Sequence, residues 1–292
     1  MKRTLAAFAV VAAMGLHAPA AVAQVADKDP ALQQQVSADE NIAPAGERTV
    51  ISQGHADLGA MFVGEKLEFL VRDDSQVPPV WRHLDDVVFD VGDEAIQTLP
   101  ETGDFDFTGA GPGEEVWVIP QTEITGVPWL GWNTQAPALL DRASAGVSME
   151  FGGHDGEGDF SLSIQPGGFH QPHQLWNSQL EGAQPMWVEP NTHTHANWVF
   201  TDPGVHLVGV RAVVKDNAGQ VHTAEEVVRL TVGEGTDVNA AFERDFAPAD
   251  PSAGRVDSKL IAIITAVAVV VIVAVLAAVA ALRSRSRSGR QS

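Results

Sequence analysis

The feature that most constrains the fold is a series of short apolar runs between residues 50 and 232, each bounded by glycine, proline, asparagine or aspartate. Each run has the length and the β-branched content of a strand. The runs occupy residues 67–71, 87–91, 116–119, 160–164, 198–201, 205–214 and 227–232. Between them no stretch keeps an apolar 3.6-residue period over three turns, although residues 136–143 suit one short helix. The pattern predicts an all-β domain.

The clearest unit of this pattern is a hairpin near the end of the domain. Residues 205–214 and 221–232 flank a segment with Asp216, Asn217 and Gly219, which are residues that tolerate left-handed backbone. We interpret it as the terminal hairpin of an immunoglobulin-like β-sandwich over residues 50–233. The polar composition on either side predicts a flexible leader at residues 24–49 and a stalk at residues 234–259.

The two ends of the chain carry export and membrane signals. Residues 1–23 combine a basic start, a short apolar run and small residues before Gln24, which predicts a cleaved signal peptide, with a retained anchor as the alternative. Residues 260–282 are uncharged and long enough for one transmembrane helix. The basic tail at residues 283–292 would then be cytoplasmic. We expect a single-pass plasma-membrane protein whose N-terminal domain lies outside the cell.

Composition excludes several functions. Residues 24–259 hold all 38 acidic side chains and 12 of the 18 basic ones, a formal charge of −26, so nucleic acid is not an expected partner. The chain has no cysteine, which excludes disulfides, thiolate metal sites and a cysteine nucleophile. It also lacks the G-x-S-x-G, P-loop and H-E-x-x-H motifs. We therefore expect a protein that is not an enzyme.

Two short segments have the residue types and spacing of metal ligands. His193 and His195 are two residues apart in an extended segment, so both imidazoles point the same way. His55 and Asp57 repeat this spacing and supply a nitrogen and an oxygen ligand. Together these residues would make a site of three histidines and a carboxylate, suited to Zn²⁺ or Mn²⁺, with Asn197 as a further oxygen ligand.

Other interpretations of these residues stay open at this level. The histidines of both segments would serve equally well as hydrogen-bonding groups for loop backbone at one end of the sandwich. His170 and His173 form a third group, in a loop interrupted by Pro172, and their role is open between exposed polarity and metal binding. Of the seven tryptophans, we expect Trp117, Trp129, Trp132 and Trp198 to lie in the core, with carbohydrate stacking as the alternative.

Five segments in order resemble a known family. They read GHADL at residues 54–58, PG at 112–113, VWVIPQ at 116–121, WLGWNT at 129–134 and HTHANWVFTDPG at 193–204. The series is similar to the actinobacterial surface-anchored domain called choice-of-anchor M. The resemblance implies an exported surface protein, without established enzymatic activity, that accompanies an ABC-type metal-uptake system with an anchored substrate-binding protein. It also implies that His55, Asp57, His193 and His195 fall in characteristic strings of the family.

These observations lead to one expected function and two alternatives. The expectation is a membrane-anchored cell-surface metal-binding protein that acts with an ABC transporter, or with its substrate-binding protein, in uptake of zinc or manganese. The first alternative is an adhesive or cell-wall carbohydrate-binding module with structural histidines. The second is a hydrolase that uses metal-bound water.

Overall fold

The structure, a computed structural model, describes residues 35–167 and 170–249. Of these residues 47 % lie in strands and 9 % in helices, which confirms the predicted all-β class. The signal peptide, the span at residues 260–282 and the basic tail, all expected from the sequence, lie outside the described residues. Within residues 35–167 and 170–249, no helix is both long enough and apolar enough to span a bilayer.

The described part of the chain contains seventeen strands and two short α-helices. The strands are β1 (Asn41–Ile42), β2 (Thr49–Ile51), β3 (Gly54–Val63), β4 (Lys66–Asp73), β5 (Val80–His83), β6 (Val87–Val91), β7 (Ile96–Thr98), β8 (Glu115–Ile119), β9 (Pro128–Asn133), β10 (Val147–Asp155), β11 (Phe160–Ile164), β12 (His173–Asn177), β13 (Pro185–Val188), β14 (His193–His195), β15 (Asn197–Phe200), β16 (Gly204–Lys215) and β17 (Val221–Val232). The helices are α1 (Pro137–Leu140) and α2 (Val238–Glu243), and single 3₁₀ turns occur at Leu84–Asp86, Asp93–Ala95 and Asp106–Thr108.

The strands form three sheets in a sandwich-like arrangement. The first sheet has the order β1-β5-β4-β3-β9-β14, the second β13-β10-β16-β17-β6-β2 and the third β12-β11-β15-β8-β7. Most neighbours are antiparallel, but β1 runs parallel to β5, β3 runs parallel to β9, and β6 runs parallel to both β2 and β17. The β3–β9 pair matters most for function, because it brings two distant segments of the chain side by side.

The core lies between the sheets and follows the two-residue period of the strands. In β3, for example, Ala56, Leu58, Ala60 and Phe62 point into it, each 5 % exposed or less. Each such side chain contributes about 1–3 kcal/mol by leaving water, depending on its size. The alternate residues of β3, including His55 and Asp57, therefore point to the opposite face of the first sheet.

The predicted terminal hairpin is confirmed. Strands β16 and β17 pair antiparallel along their whole length, from Gly204 opposite Val232 to Lys215 opposite Val221. In the turn, Gly219 adopts a φ of +88°, and Asp216 Oδ1 accepts hydrogen bonds from the backbone amides of Ala218 and Gln220. The turn residues thus carry out the roles that their types predict.

Ordered structure extends beyond the predicted domain limits of residues 50 and 233. On the N-terminal side, β1 lies within the expected leader and pairs with β5. On the C-terminal side, α2 lies within the expected stalk and buries Ala241, while Pro248 lies over Gly152 and Gly209. Apolar periodicity did not reveal these segments, because each docks through one or two side chains rather than through a repeated apolar face.

Candidate metal site

Two strands of the first sheet, β3 and β14, carry the four predicted ligand residues, and β9 lies between them. Asp57 on β3 lies beside Gly131 on β9, and Gly131 lies beside His195 on β14. His55 precedes Asp57 by two residues on β3 and therefore lies on the same face, and His193 precedes His195 by two residues on β14. The fold therefore brings together two pairs that are more than 130 residues apart in sequence.

The three imidazoles form what we call the histidine triangle, consisting of His55, His193 and His195. Its Nε2 atoms lie 2.9 Å apart between His55 and His195, and 3.1 Å apart for each of the other two pairs. Tetrahedral ligands with metal–nitrogen bonds of about 2.0–2.1 Å are about 3.3–3.4 Å apart. The triangle is thus slightly contracted relative to a zinc site, and its three nitrogens surround one point.

Asp57 completes the group and is fully buried. Its Oδ2 accepts a hydrogen bond from Asn133 Nδ2 at 3.2 Å and lies 3.1 Å from His193 Nε2. Its Oδ1 lies 3.8 Å from the Nε2 atoms of both His55 and His195, and no described residue donates a hydrogen bond to it. An unsatisfied carboxylate oxygen without solvent contact is costly, so this atom indicates a missing positive partner.

Gly131 explains how ligands on two strands that are not neighbours can meet. A Cβ at this position would lie 2.7 Å from Asp57 Oδ1 and 2.9 Å from His195 Cε1, as well as 2.6 Å from the backbone oxygen of Thr194. Any side chain on β9 at this point would therefore occupy the space in which the ligands converge. A glycine inside an otherwise apolar strand often marks such a close approach.

Residues around the ligands hold two of the imidazoles in position. His55 Nδ1 lies 2.5 Å from Asp74 Oδ1, and since a carboxylate only accepts, Nδ1 carries the hydrogen. The Nε2 lone pair of His55 is thereby directed at the triangle, as a metal ligand requires. His195 stacks on the buried Trp129, with ring centroids 4.1 Å apart and an interplanar angle of 18°.

The pKa values follow from this environment. Burial lowers the pKa of His195 to about 3, although the charge of Asp57 acts in the opposite direction. Burial also acts to lower the pKa of His55, but the hydrogen bond to Asp74 and the charges of Asp57 and Asp74 outweigh it, so this pKa is raised. Burial acts to raise the pKa of Asp57, yet its hydrogen bond with His193 and the nearby imidazoles lower it. Asp57 is therefore ionised at neutral pH.

The charge balance of the site also suits a divalent cation. Three carboxylates, those of Glu40, Asp57 and Asp74, lie in or behind the site, and Arg72 is the cation paired with Glu40 and Asp74. With neutral imidazoles this group carries a net charge of −2. Three imidazole nitrogens, one carboxylate and this charge together form a group that could hold a metal ion.

Other residues named by the sequence analysis lie elsewhere. Asn197 does not continue the ligand face, because the chain passes from the first sheet to the third at the buried Ala196, and its Oδ1 accepts from the Gln121 amide at 2.8 Å. His170 and His173 are exposed, in the loop before β12 and at the start of that strand, and neither belongs to the ligand group.

A second pair of histidines forms a closed hydrogen-bond chain on the second sheet. His206 Nε2 lies 3.0 Å from the carbonyl oxygen of Asp202, so it carries the hydrogen and leaves Nδ1 as an acceptor. His154 Nε2 then donates to that Nδ1 across 2.9 Å. Burial lowers the pKa of each of these two imidazoles to about 4. Sequence reasoning gave this His154–His206 pair no role.

Most tryptophans lie in the core. Trp129, Trp132 and Trp198 are 4 % exposed or less, as expected, whereas Trp117 is only partly buried. Trp187, on the edge strand β13, is 56 % exposed. It is the only large aromatic side chain in the described part of the chain with this degree of exposure.

Sequence reasoning missed the supporting residues of the site. Asp74, Trp129, Gly131 and Asn133 contact the ligands, yet only Gly131 had a recognisable signal, as a glycine inside an apolar strand.

In comparisons with known proteins, no family model, no curated protein and no solved structure matches this chain.

Proposed function

We propose that this chain is a membrane-anchored cell-surface protein that binds Zn²⁺ or Mn²⁺ and assists an ABC-type uptake system for that metal. The observation that carries the proposal is the convergence of three imidazole nitrogens and a buried carboxylate on one point, with one carboxylate oxygen left unsatisfied. The surface location and the transporter partner come from the terminal segments and from the resemblance to the choice-of-anchor M family. The immunoglobulin-like class of the sandwich belongs to the same proposal and is supported by the β16–β17 hairpin.

Binding, rather than catalysis, is supported by how completely the protein fills the site. Four side chains supply four ligand atoms, and all four residues have side chains that are 10 % exposed or less. Catalytic zinc sites keep a coordination position open for water or substrate, whereas closed four-ligand sites hold the metal. The proposed activity is therefore to hold a cation.

Zinc is the metal that the donor set favours. Imidazole-rich four-coordinate sites suit Zn²⁺, and Zn²⁺ binds a given nitrogen and oxygen set more tightly than Mn²⁺ does. The carboxylate of Asp57 gives the site one ligand that Mn²⁺ also accepts. We expect both ions to compete for one site, with Zn²⁺ binding more tightly.

A calorimetric titration of the purified, tag-free full chain in detergent tests the proposal. We expect one equivalent of Zn²⁺ to bind the wild type, and none to bind a His193→Ala/His195→Ala variant. A His170→Ala/His173→Ala variant is the matched control, because it removes two exposed histidines and should bind as the wild type does. Equal heats from all three proteins would refute the site.

The carbohydrate-binding alternative has one specific observation in its favour, which is the exposed ring of Trp187 on β13. A single ring provides one stacking surface, and its Nε1 donates to Glu189 Oε1 at 3.1 Å. Loss of binding to purified cell-wall polysaccharide in Trp187→Ala, with Zn²⁺ binding unchanged, would support this second function.

A further inference from the structure

A continuous line of charged side chains leads from the histidine triangle to the N-terminal segment at residues 37–43. Asp74 contacts His55 Nδ1 through Oδ1 and accepts from Arg72 Nη1 at 2.7 Å through Oδ2. On its other edge, Arg72 donates from Nε and Nη2 to both oxygens of Glu40, each at 2.8 Å. We call the series Glu40, Arg72, Asp74 and His55 the Glu40 relay.

Arg72 and Glu40, the two members of the Glu40 relay that lie farthest from the histidine triangle, have buried and hydrogen-bonded side chains. The side chains of Arg72 and Glu40 are 4 % and 10 % exposed. Besides Arg72, Glu40 accepts from Trp81 Nε1 at 2.9 Å and from the Ser37 amide at 3.1 Å. Two-point guanidinium–carboxylate contacts of this kind fix orientation as well as distance. The relay is therefore geometrically well defined.

Glu40 also joins residues 37–43 to the first sheet. Strand β1, which begins directly after Glu40, is two residues long and, among the described strands, pairs only with β5 at the edge of this sheet. The Ala43 amide adds one bond to the Trp81 carbonyl oxygen at 2.8 Å. Because this backbone pairing is so short, the buried ion pair supplies a large share of what holds the segment in place.

Arg72 is shared between two carboxylates, so a change at one of them alters the other. Without the charge of Glu40, Arg72 would lose its anchor on one side and would hold Asp74 less firmly against His55. Partners behind a metal ligand typically change metal affinity about 10- to 100-fold when they are removed. The effect at Glu40, one residue further out, should lie at the lower end of that range.

We infer that Glu40 is a positioning residue of the metal site and that metal binding is coupled to docking of residues 37–43. The inference rests on the proposed function. Coupling of this kind is reciprocal, so a bound cation must stabilise the docked segment by as much as the segment strengthens metal binding. Occupancy of the site would in this way change the stability of the docked segment at residues 37–43.

The test uses Glu40→Gln in the tag-free full chain, with Glu181→Gln, in the exposed turn after β12, as the matched control. Zinc affinity should fall about 10-fold in Glu40→Gln and remain at the wild-type value in the control. In an Asp74→Asn background, Glu40→Gln should have no further effect, because the relay is already interrupted. A purely structural role of Glu40 would instead give additive losses.

Hydrogen exchange supplies an independent readout. Saturating Zn²⁺ should slow amide exchange across residues 37–43 in the wild type, and Asp74→Asn should abolish this slowing. If the wild type binds Zn²⁺ but Glu40→Gln matches the control and exchange is unchanged, the inference fails while the proposed function survives. Additive losses in the double variant also overturn it. A wild type that binds no Zn²⁺ removes both proposals.

Discussion

The histidine triangle and the His154–His206 pair use the same side chain in opposite ways. In the pair, each nitrogen between the two rings has a complementary partner, and the chain of hydrogen bonds ends on a backbone carbonyl. In the triangle, three Nε2 atoms face one another beside an unsatisfied carboxylate oxygen. Close contact between histidines is therefore not by itself the mark of a ligand site. What distinguishes the triangle is that its three Nε2 atoms converge on one point, beside a buried carboxylate oxygen to which no described residue donates.

The charges near the two groups act differently on their imidazoles. Asp57 lies beside the triangle and Asp74 behind it, and together they raise the pKa of His55 against the effect of burial, whereas burial lowers the pKa of His195 to about 3. The His154–His206 pair lies among aromatic rings. The ring centroids of Phe160 and His154 are 5.7 Å apart, and those of Phe200 and His206 are 4.8 Å apart. Burial dominates there, and both pKa values fall. The first environment suits a cation, whereas the second suits neutral rings.

The largest expected effect is that of removing the carboxylate charge of Asp57 beside the triangle. Asp57→Asn keeps the shape of the side chain but replaces an anionic ligand oxygen by a neutral amide. We expect zinc affinity to fall more than about 1,000-fold, which corresponds to about 4 kcal/mol. Competition with a chromophoric chelator measures this loss. Wild-type affinity in Asp57→Asn would show that the carboxylate is not a ligand.

The second effect concerns the His154–His206 pair and should be on stability alone. His206→Ala removes a fully buried ring, leaving His154 and the Asp202 carbonyl without their partner. We expect the free energy of unfolding to fall by about 2–4 kcal/mol. Chemical denaturation measures the change, and zinc titration of the same variant should give the wild-type affinity. A large loss of zinc binding would mean that the two groups are not independent.

A third change tests the geometry of the triangle without altering any ligand. Gly131→Ala introduces a Cβ into the space shared by Asp57 Oδ1 and His195 Cε1. We expect zinc affinity to fall about 10- to 100-fold, comparable to the loss of a supporting group at a metal site. Gly167→Ala is the control, since a Cβ there meets no atom within 4 Å. Equal affinities for both variants would show that the ligands do not meet above β9.

The sequence predicted the grouping of the four candidate ligand residues better than it predicted the structure around them. The two-residue spacing of His55 and Asp57, and of His193 and His195, follows from strand geometry alone, because alternate residues share a face. That the two pairs meet depends on β9 lying between β3 and β14, a parallel and an antiparallel pairing that one sequence does not specify. Asn197 was misplaced for a related reason, because periodicity does not reveal where a chain passes from one sheet to another.

The contribution of Glu40 was equally hidden from sequence reasoning. Residues 24–49 were interpreted as a leader because they lack apolar periodicity, yet Glu40 docks through its charge, against Arg72 and the indole of Trp81. A buried ion pair between residues so far apart in sequence leaves no local pattern. Polar composition is therefore weak evidence against order where a buried partner of opposite charge is present elsewhere in the chain.

The smallest effect is a difference in pH dependence between the two groups. In the unfolded chain His154 and His206 titrate near 6.5, whereas in the folded chain they titrate near 4. Between these values the unfolded state binds more protons, so stability falls as the pH is lowered through this window. Each imidazole contributes a slope of about 1.4 kcal/mol per pH unit. His55 contributes with the opposite sign, because its raised pKa stabilises the metal-free fold below pH 6.5.

Denaturation of the metal-free chain at several pH values between 7 and 4 separates these contributions. In His206→Ala one of the two depressed imidazoles is absent, so the loss of stability with falling pH should be shallower than in the wild type. His55→Ala should make it steeper, because a contribution of opposite sign is removed. Parallel pH profiles for all three proteins would contradict the distinction between an anionic ligand site and a neutral histidine pair.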